Sequence, residues 1–184
     1  MFLEYETERL LLRVLKPNQA GQVLDFFLED KEYFEQYEPD RAYNFYTERH
    51  QAALLRYEYN EALSKNLIRF YVSLKSDPDT IIGTICLHNI KPVIYSSAEI
   101  GYKFLQRVQH LGIASEAMQC LIKVAFSDLH LHRIYAMIEP DNEASLRFAR
   151  RNGFKQEGLC QEFAYIHGMW RDYYLYSLLA SGHK

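Results

Sequence analysis

The sequence predicts a single α/β domain built on a mixed, mostly antiparallel sheet, with a strand-helix-strand crossover at its centre. Three observations carry this expectation. The length of 184 residues suits one domain, here residues 1–184, and no repeat, low-complexity tract or Gly/Ser/Pro linker divides it. Short alternating apolar runs fill most of the chain, but the period changes to that of a helix over about 112–128. A short apolar strand follows that helix immediately, which makes a crossover between two parallel strands.

Residues 6–15 read as the first strand, closed by Lys16-Pro17-Asn18, a turn and helix start. Val23, Leu24, Phe26, Phe27 and Leu28 fit a helix over about 18–30. A Tyr-rich, acidic stretch over 31–46 leads to Thr47, a natural N-cap for a helix over 48–64. Leu67 to Leu74 and Thr80 to Asn89 form a hairpin around Ser76-Asp77-Pro78-Asp79, and Ser97 to Phe104 is the next strand. Ile113, Ala117, Met118, Leu121, Ile122, Ala125 and Phe126 line one face of the central helix. A buried strand at Arg133–Ile138 precedes a helix from Asn142 to Arg151, which Asn152-Gly153 stops as a left-handed cap. Strands over about 154–165 and 171–179, separated by His167-Gly168, complete about seven strands and four helices.

Composition excludes several classes. Apolar residues at 48% with 24% charged are globular values and rule out a disordered chain. A net charge of −3 argues against direct nucleic-acid binding, which favours a basic face. No apolar run approaches a membrane span, and Met1-Phe2-Leu3-Glu4-Tyr5-Glu6 is too acidic for a signal peptide. Cys86, Cys120 and Cys160 are too far apart for a metal or disulfide pattern and read as free thiols of a cytoplasmic protein. His130-Leu131-His132 lacks a third ligand, so no metal site is expected.

The chemistry gathers at Gln109-His110-Leu111-Gly112-Ile113-Ala114-Ser115, between a strand and the central helix. No Ser, Thr, Asp or Asn stands at the cap position, so the first N–H groups of that helix lack a side-chain acceptor. Gly112 and Ala114 remove bulk beside those groups. Bare N–H groups at a positive dipole end suit an anion, best a pyrophosphate. The bland alternative is an ordinary strand-to-helix turn.

The order strand, Gln109-x-x-Gly112-x-Ala114, helix, strand, then Asn142 and Gly153-Phe154 resembles the GCN5-related N-acetyltransferase (GNAT) superfamily. The resemblance runs from Thr7-Glu8-Arg9-Leu10 to Trp170-Arg171-Asp172. His132-Arg133-Ile134, Asn152-Gly153-Phe154-Lys155-Gln156-Glu157-Gly158 and Trp170-Arg171-Asp172 look like the RimJ/RimL branch, which acetylates N-terminal amines of ribosomal proteins. The resemblance implies the GNAT fold and acetyl-CoA as co-substrate, with no metal. It implies that the backbone of Gln109 to Ser115 holds the CoA pyrophosphate. Pantetheine would lie along Gly101, Tyr102, Lys103 and Phe104, where two parallel strands splay.

The acceptor that the resemblance implies is a protein N-terminus; a small amine such as a polyamine or an antibiotic is the alternative, and a non-catalytic acyl-CoA-binding module is another. A free α-amine has a pKa of about 7.7–8.0, so a carboxylate base has only one proton to remove. Glu99, on the strand carrying the thioester, is the candidate base; the bland reading is a solvent-facing strand carboxylate. Where many superfamily members have a Tyr thought to protonate the thiolate, this chain has Ala149. Ser145 lies one helical turn after Asn142, so the pair reads as contacts to sulfur and pantetheine, with Asn142 also an N-cap candidate. Arg147, Arg150 and Arg151 suit either the 3′-phosphate of CoA or a solvated helix face. Six acids between Glu29 and Asp40, interleaved with Tyr33, Phe34 and Tyr37, suit an acidic rim at the acceptor entrance or a solvated helix. Aromatics over 33–59 leave a homodimer open, with core filling as the alternative.

Overall fold

The computed structural model describes residues 1–180, so the last four residues of the expected domain lie outside the described residues. Eight strands form one sheet in the order β1-β2-β3-β4-β5-β6-β8-β7. They are β1 (Glu4–Glu6), β2 (Leu10–Arg13), β3 (Ile68–Leu74), β4 (Asp77–Lys91), β5 (Ser97–Phe104), β6 (Arg133–Ile138), β7 (Lys155–Ile166) and β8 (Met169–Leu179). Among the described residues only β5 and β6 run parallel; every other pair is antiparallel. The helices are α1 (Ala20–Glu29), α2 (Lys31–Glu35), α3 (Glu48–Ser64), α4 (Ile113–Lys123) and α5 (Glu143–Arg151).

The crossover β5-α4-β6 lies at the centre of the sheet, and β5 and β6 have the bounds that alternation predicts. Thr47 caps α3 by accepting from the His50 N–H at 3.3 Å. Gly153 ends α5 at φ 89, in the left-handed region that favours glycine.

Three expectations need correction. The first strand is two, because Thr7 and Arg9 turn away to bond Glu116 on α4 while the Thr7 N–H folds back to the Leu10 carbonyl at 3.0 Å. The β3–β4 turn is Lys75-Ser76 and not Ser76–Asp79, since Leu74 already pairs with Asp77. Pro78, which has no N–H for a ladder, is the second residue of β4, and its carbonyl accepts from Arg13. The short α2 adds a fifth helix, and α4 passes into a π turn over Val124–Asp128.

Neighbouring residues of a strand point to opposite faces, and this fixes the layers. Lys103 meets Phe27 of α1 and Phe34 of α2, whereas Tyr102 meets Phe148 of α5. Arg69 on β3 pairs with Glu58 of α3 on the Lys103 face. Gln119 of α4 bonds Asn152, at the end of α5, at 3.2 Å on the other face. Helices therefore cover both faces of β4, whose residues Ile81–Leu87 form a continuous buried run. Phe104 is buried with its ring over Gly83, where an added Cβ would lie 2.2 Å from Cδ1. Among the described residues no helix is long and apolar enough to cross a membrane.

Candidate active site

The parallel ladder of β5 and β6 holds only Ser97↔Arg133, Ala98↔Ile134 and Glu99↔Tyr135. Beyond Glu99 the two strands part, although β5 continues to Phe104 and β6 to Ile138. Residues 101–104 thus keep β4 on one side and have no strand partner on the other. This wedge is the opening into which an extended ligand can lay a backbone-paired chain.

At its far end the loop 109–112 turns through two left-handed residues, His110 (φ 62) and Gly112 (φ 76). Gly112 is the N-cap of α4 and offers no side chain, as the sequence predicts. The backbone N–H groups of residues 110–115 have no acceptor among the described residues. His110, Leu111 and Gly112 are exposed, Ala114 and Ser115 half-buried, and the Ile113 side chain enters the core. Unpaired donors at a positive helix end and no bulk at Gly112 give this loop the form of a cradle suited to an anion.

Contacts that sequence reading did not assign hold this loop in place. Arg9 Nε meets Glu116 Oε2 at 2.7 Å, and Arg9 Nη1 donates to the Leu111 carbonyl at 3.0 Å. Glu116 also accepts from Thr7 Oγ1 at 2.5 Å and from the Arg9 N–H at 2.8 Å. Burial would raise the Glu116 pKa, but these bonds outweigh it and hold the carboxyl below its ordinary value. Gln109 donates to the Tyr33 hydroxyl at 2.9 Å, and Gln106 N–H donates to Asp30 at 2.6 Å. Such partners sit too far apart in sequence for any spacing rule to reveal them.

Glu99 lies at the inner end of the wedge on the α1–α3 face, its side chain 19% exposed. Its Oε2 accepts from Asn89 Nδ2 at 2.9 Å, and His88 Nε2 lies 3.9 Å from Oε1. Asn89 reaches it from a left-handed bend (φ 50) at an irregularity in β4. Burial keeps the His88 pKa below its ordinary value, against the pull of Glu99. Gly101 sits against Cys86, whose Sγ would be 3.1 Å from an added Cβ.

On the opposite face, Ser145 Oγ donates to the Tyr102 hydroxyl at 3.1 Å, bringing α5 across the wedge. Asn142 caps α5 by accepting from the Ser145 N–H at 3.0 Å. Ala149 is buried in the core. Lys103 turns its ammonium to Glu38 and lies against the Phe27 and Phe34 rings, its side chain 16% exposed. Burial, with Arg41 and Arg69 nearby, pushes its pKa well down.

The acidic stretch is neither an open rim nor simply solvated. Glu29 pairs with Arg107 at 2.6 Å, Glu38 with Lys103 and Arg41, and Asp40 with His167 at 2.9 Å. Glu35 accepts from the Tyr46 hydroxyl at 2.6 Å. A cavity of about 300 Å³ lies between Lys31, Glu35, Arg41, Tyr46 and His167 at the tip of the β7–β8 hairpin. Phe34 and Phe45 fill the core while Tyr43 and Tyr57 are exposed. Arg147 pairs along α5 with Glu143 at 3.3 Å, and Arg150 donates to the Tyr176 hydroxyl at 3.1 Å. Among the described residues no group of His, Cys, Asp and Glu has the arrangement of a metal site.

Comparison with known proteins meets the same region. The profile of the acetyltransferase (GNAT) domain matches residues 9–155. The uS5-specific ribosomal-protein-alanine N-acetyltransferase of Escherichia coli is 31% identical over 94% of this chain and 88% of its own. The crystal structure of a ribosomal-protein-S5-alanine acetyltransferase from Vibrio fischeri superposes with a TM-score of 0.91, 27% identity and full coverage of both chains. Mycobacterium smegmatis RimJ, solved in complex with CoA-disulfide, gives a TM-score of 0.86 at 25% identity over 93% of this chain and 82% of that one. The domain match over residues 9–155 and the 31% identity to a relative along nearly its whole length make this chain a member of the GNAT acetyltransferase family.

Proposed function

We propose that the protein transfers the acetyl group of acetyl-CoA to the N-terminal α-amine of a ribosomal protein. The observation that carries this reading is the continuity of the open β5 edge with the bare N–H groups of residues 110–115. One end suits an extended amide-bearing arm and the other a pyrophosphate. The likeness to ribosomal-protein acetyltransferases supports the acceptor class.

In this reading the backbone of Gln109–Ser115 holds the pyrophosphate, and Gly101–Phe104 hold the pantetheine by main-chain bonds. Asn142 orients α5 so that Ser145 faces the thioester. Glu99 takes the proton of the attacking amine, directly or through water, and passes it to solvent. An α-amine is partly neutral near pH 7.4, so a modest base is enough. Free thiols and a ribosomal acceptor both support a cytoplasmic location.

The test is a mass-spectrometric panel with acetyl-CoA. It holds peptides beginning Ala, Ser and Met, their N-terminally blocked forms, a Lys side-chain peptide and spermidine. Acetylation confined to free N-termini is the expected result. Acetylation of spermidine alone would overturn the protein-acceptor reading, and CoA binding without any turnover would overturn the enzyme reading for these amines.

A further inference from the structure

Tyr102 is a half-buried phenol beside the wedge whose hydroxyl has only one long acceptor in the protein. It accepts the Ser145 Oγ–H at 3.1 Å, but its own proton finds only the Ser145 carbonyl, at 3.4 Å. That is beyond the 2.5–3.0 Å of an ordinary O–H···O bond. A half-buried donor whose only protein acceptor is this distant is left able to bond a ligand lying in the wedge. The ring itself is well fixed, packed on Phe148 at 4.7 Å between centroids.

We propose that the Tyr102 hydroxyl is the hydrogen-bond donor to the sulfur of the CoA leaving group, with Ser145 holding the phenol in place. This rests on the reading above, in which pantetheine runs along Gly101–Phe104. Glu99 and Tyr102 occupy opposite faces of β5, so the proton acceptor and the sulfur donor flank the strand edge from two sides. As the amine nitrogen bonds to the carbonyl carbon, the carbon–sulfur bond breaks and its electron pair goes to sulfur. The amine proton goes to Glu99 and then to solvent. Sulfur departs as a thiolate that receives the Tyr102 hydrogen bond, and its eventual proton comes from water. Burial raises the phenol pKa to about 12, so the proton stays on oxygen and the donor is present at every working pH. A donor fixed in advance where negative charge develops stabilises that charge without reorganising.

The test needs no acceptor. CoA and desulfo-CoA affinities are measured by calorimetry from about pH 7 to about pH 9.5, across the ordinary thiol pKa. In the native protein CoA should gain about tenfold over desulfo-CoA as its thiol ionises, the effect of a one-unit drop in thiol pKa. Tyr102→Phe keeps the ring and should abolish that gain while desulfo-CoA still binds, which also reports that the variant is folded. Ser145→Ala should leave a reduced gain. A full gain in Tyr102→Phe, or none in the native protein, would overturn the inference while leaving CoA binding intact. Failure of the native protein to bind desulfo-CoA would instead overturn the cofactor reading, and this inference with it.

Discussion

Arg9 and Glu116 meet at 2.7 Å across 107 positions of sequence, joining the turn before β2 to the first turn of α4. The same guanidinium bonds the Leu111 carbonyl, so one ion pair holds both the helix and the loop that precedes it. The carboxylate in the first turn also complements the helix dipole. Glu116→Ala should therefore lower stability by about 1–2 kcal/mol, since its donors lie near the surface and regain water. It should also weaken desulfo-CoA binding several-fold, because the anion cradle is left unsupported. Urea titration and calorimetry measure the two effects; a lowered midpoint with unchanged affinity would show that the loop stands without Glu116.

What the sequence discloses and what it hides follow from the range of each interaction. Ser97–Phe104 and Arg133–Ile138 are legible to the residue because alternation, burial and polar flanks act locally. The bare N-terminus of α4 is legible because a cap is a matter of one or two adjacent residues. Thr7 and Arg9 look like strand residues, and only an acid on a distant helix turns them out of the ladder. The acids of 29–40 look like a rim because Arg107, Lys103 and His167 are invisible from their own segment. Tyr102 reads as a backbone contact until α5 brings Ser145 to it from 43 positions away.

Glu99 tests the base. Asn89 holds its Oε2 at 2.9 Å, and Glu99→Gln can keep a bond there while losing the ability to take a proton. Turnover should fall at least tenfold, within the 10²–10⁴-fold that a general base contributes at full strength. CoA affinity should not move, because the carboxylate lies at the inner end of the wedge, away from the anion cradle. Unchanged turnover would remove Glu99 from the mechanism.

His88 links the same corner to pH. Burial lowers its folded pKa, and Arg69 adds to this, while Glu99 pulls the other way. A group whose folded pKa is depressed is more readily protonated in the unfolded chain. Its contribution to stability is therefore full above about pH 6.5, the ordinary histidine value, and is lost as pH falls through the folded pKa. The unfolding free energy of the native protein should fall more steeply between pH 7 and pH 5 than that of His88→Gln, with urea midpoints as the measure. Parallel slopes would mean that His88 takes up protons equally in both states.

Away from the wedge, the largest single loss is expected at Glu58. This carboxylate is 3% exposed under α3, with Arg69 Nε at 2.6 Å and the Tyr71 hydroxyl donating at 2.9 Å. Burial and the Glu58 charge drive the Tyr71 pKa well upward, so the phenol remains a donor. Removing one partner of such a buried pair leaves the other charged and uncompensated, which costs about 3–5 kcal/mol. The Arg69 side chain is 24% exposed, so water reaches it and Glu58→Ala should fall at the lower end, about 3 kcal/mol. For a domain of this size that is about 6–12 °C in melting temperature. Tyr71→Phe should cost only about 1 kcal/mol, because the carboxylate keeps its arginine. Replacing both charges, Glu58→Leu with Arg69→Met, should recover more than half of the loss if electrostatic isolation and not packing is the cause. Calorimetric melts of the three variants decide between them: a double variant as unstable as Glu58→Ala would show that the shape of the pair, not its charge, holds α3 to the sheet.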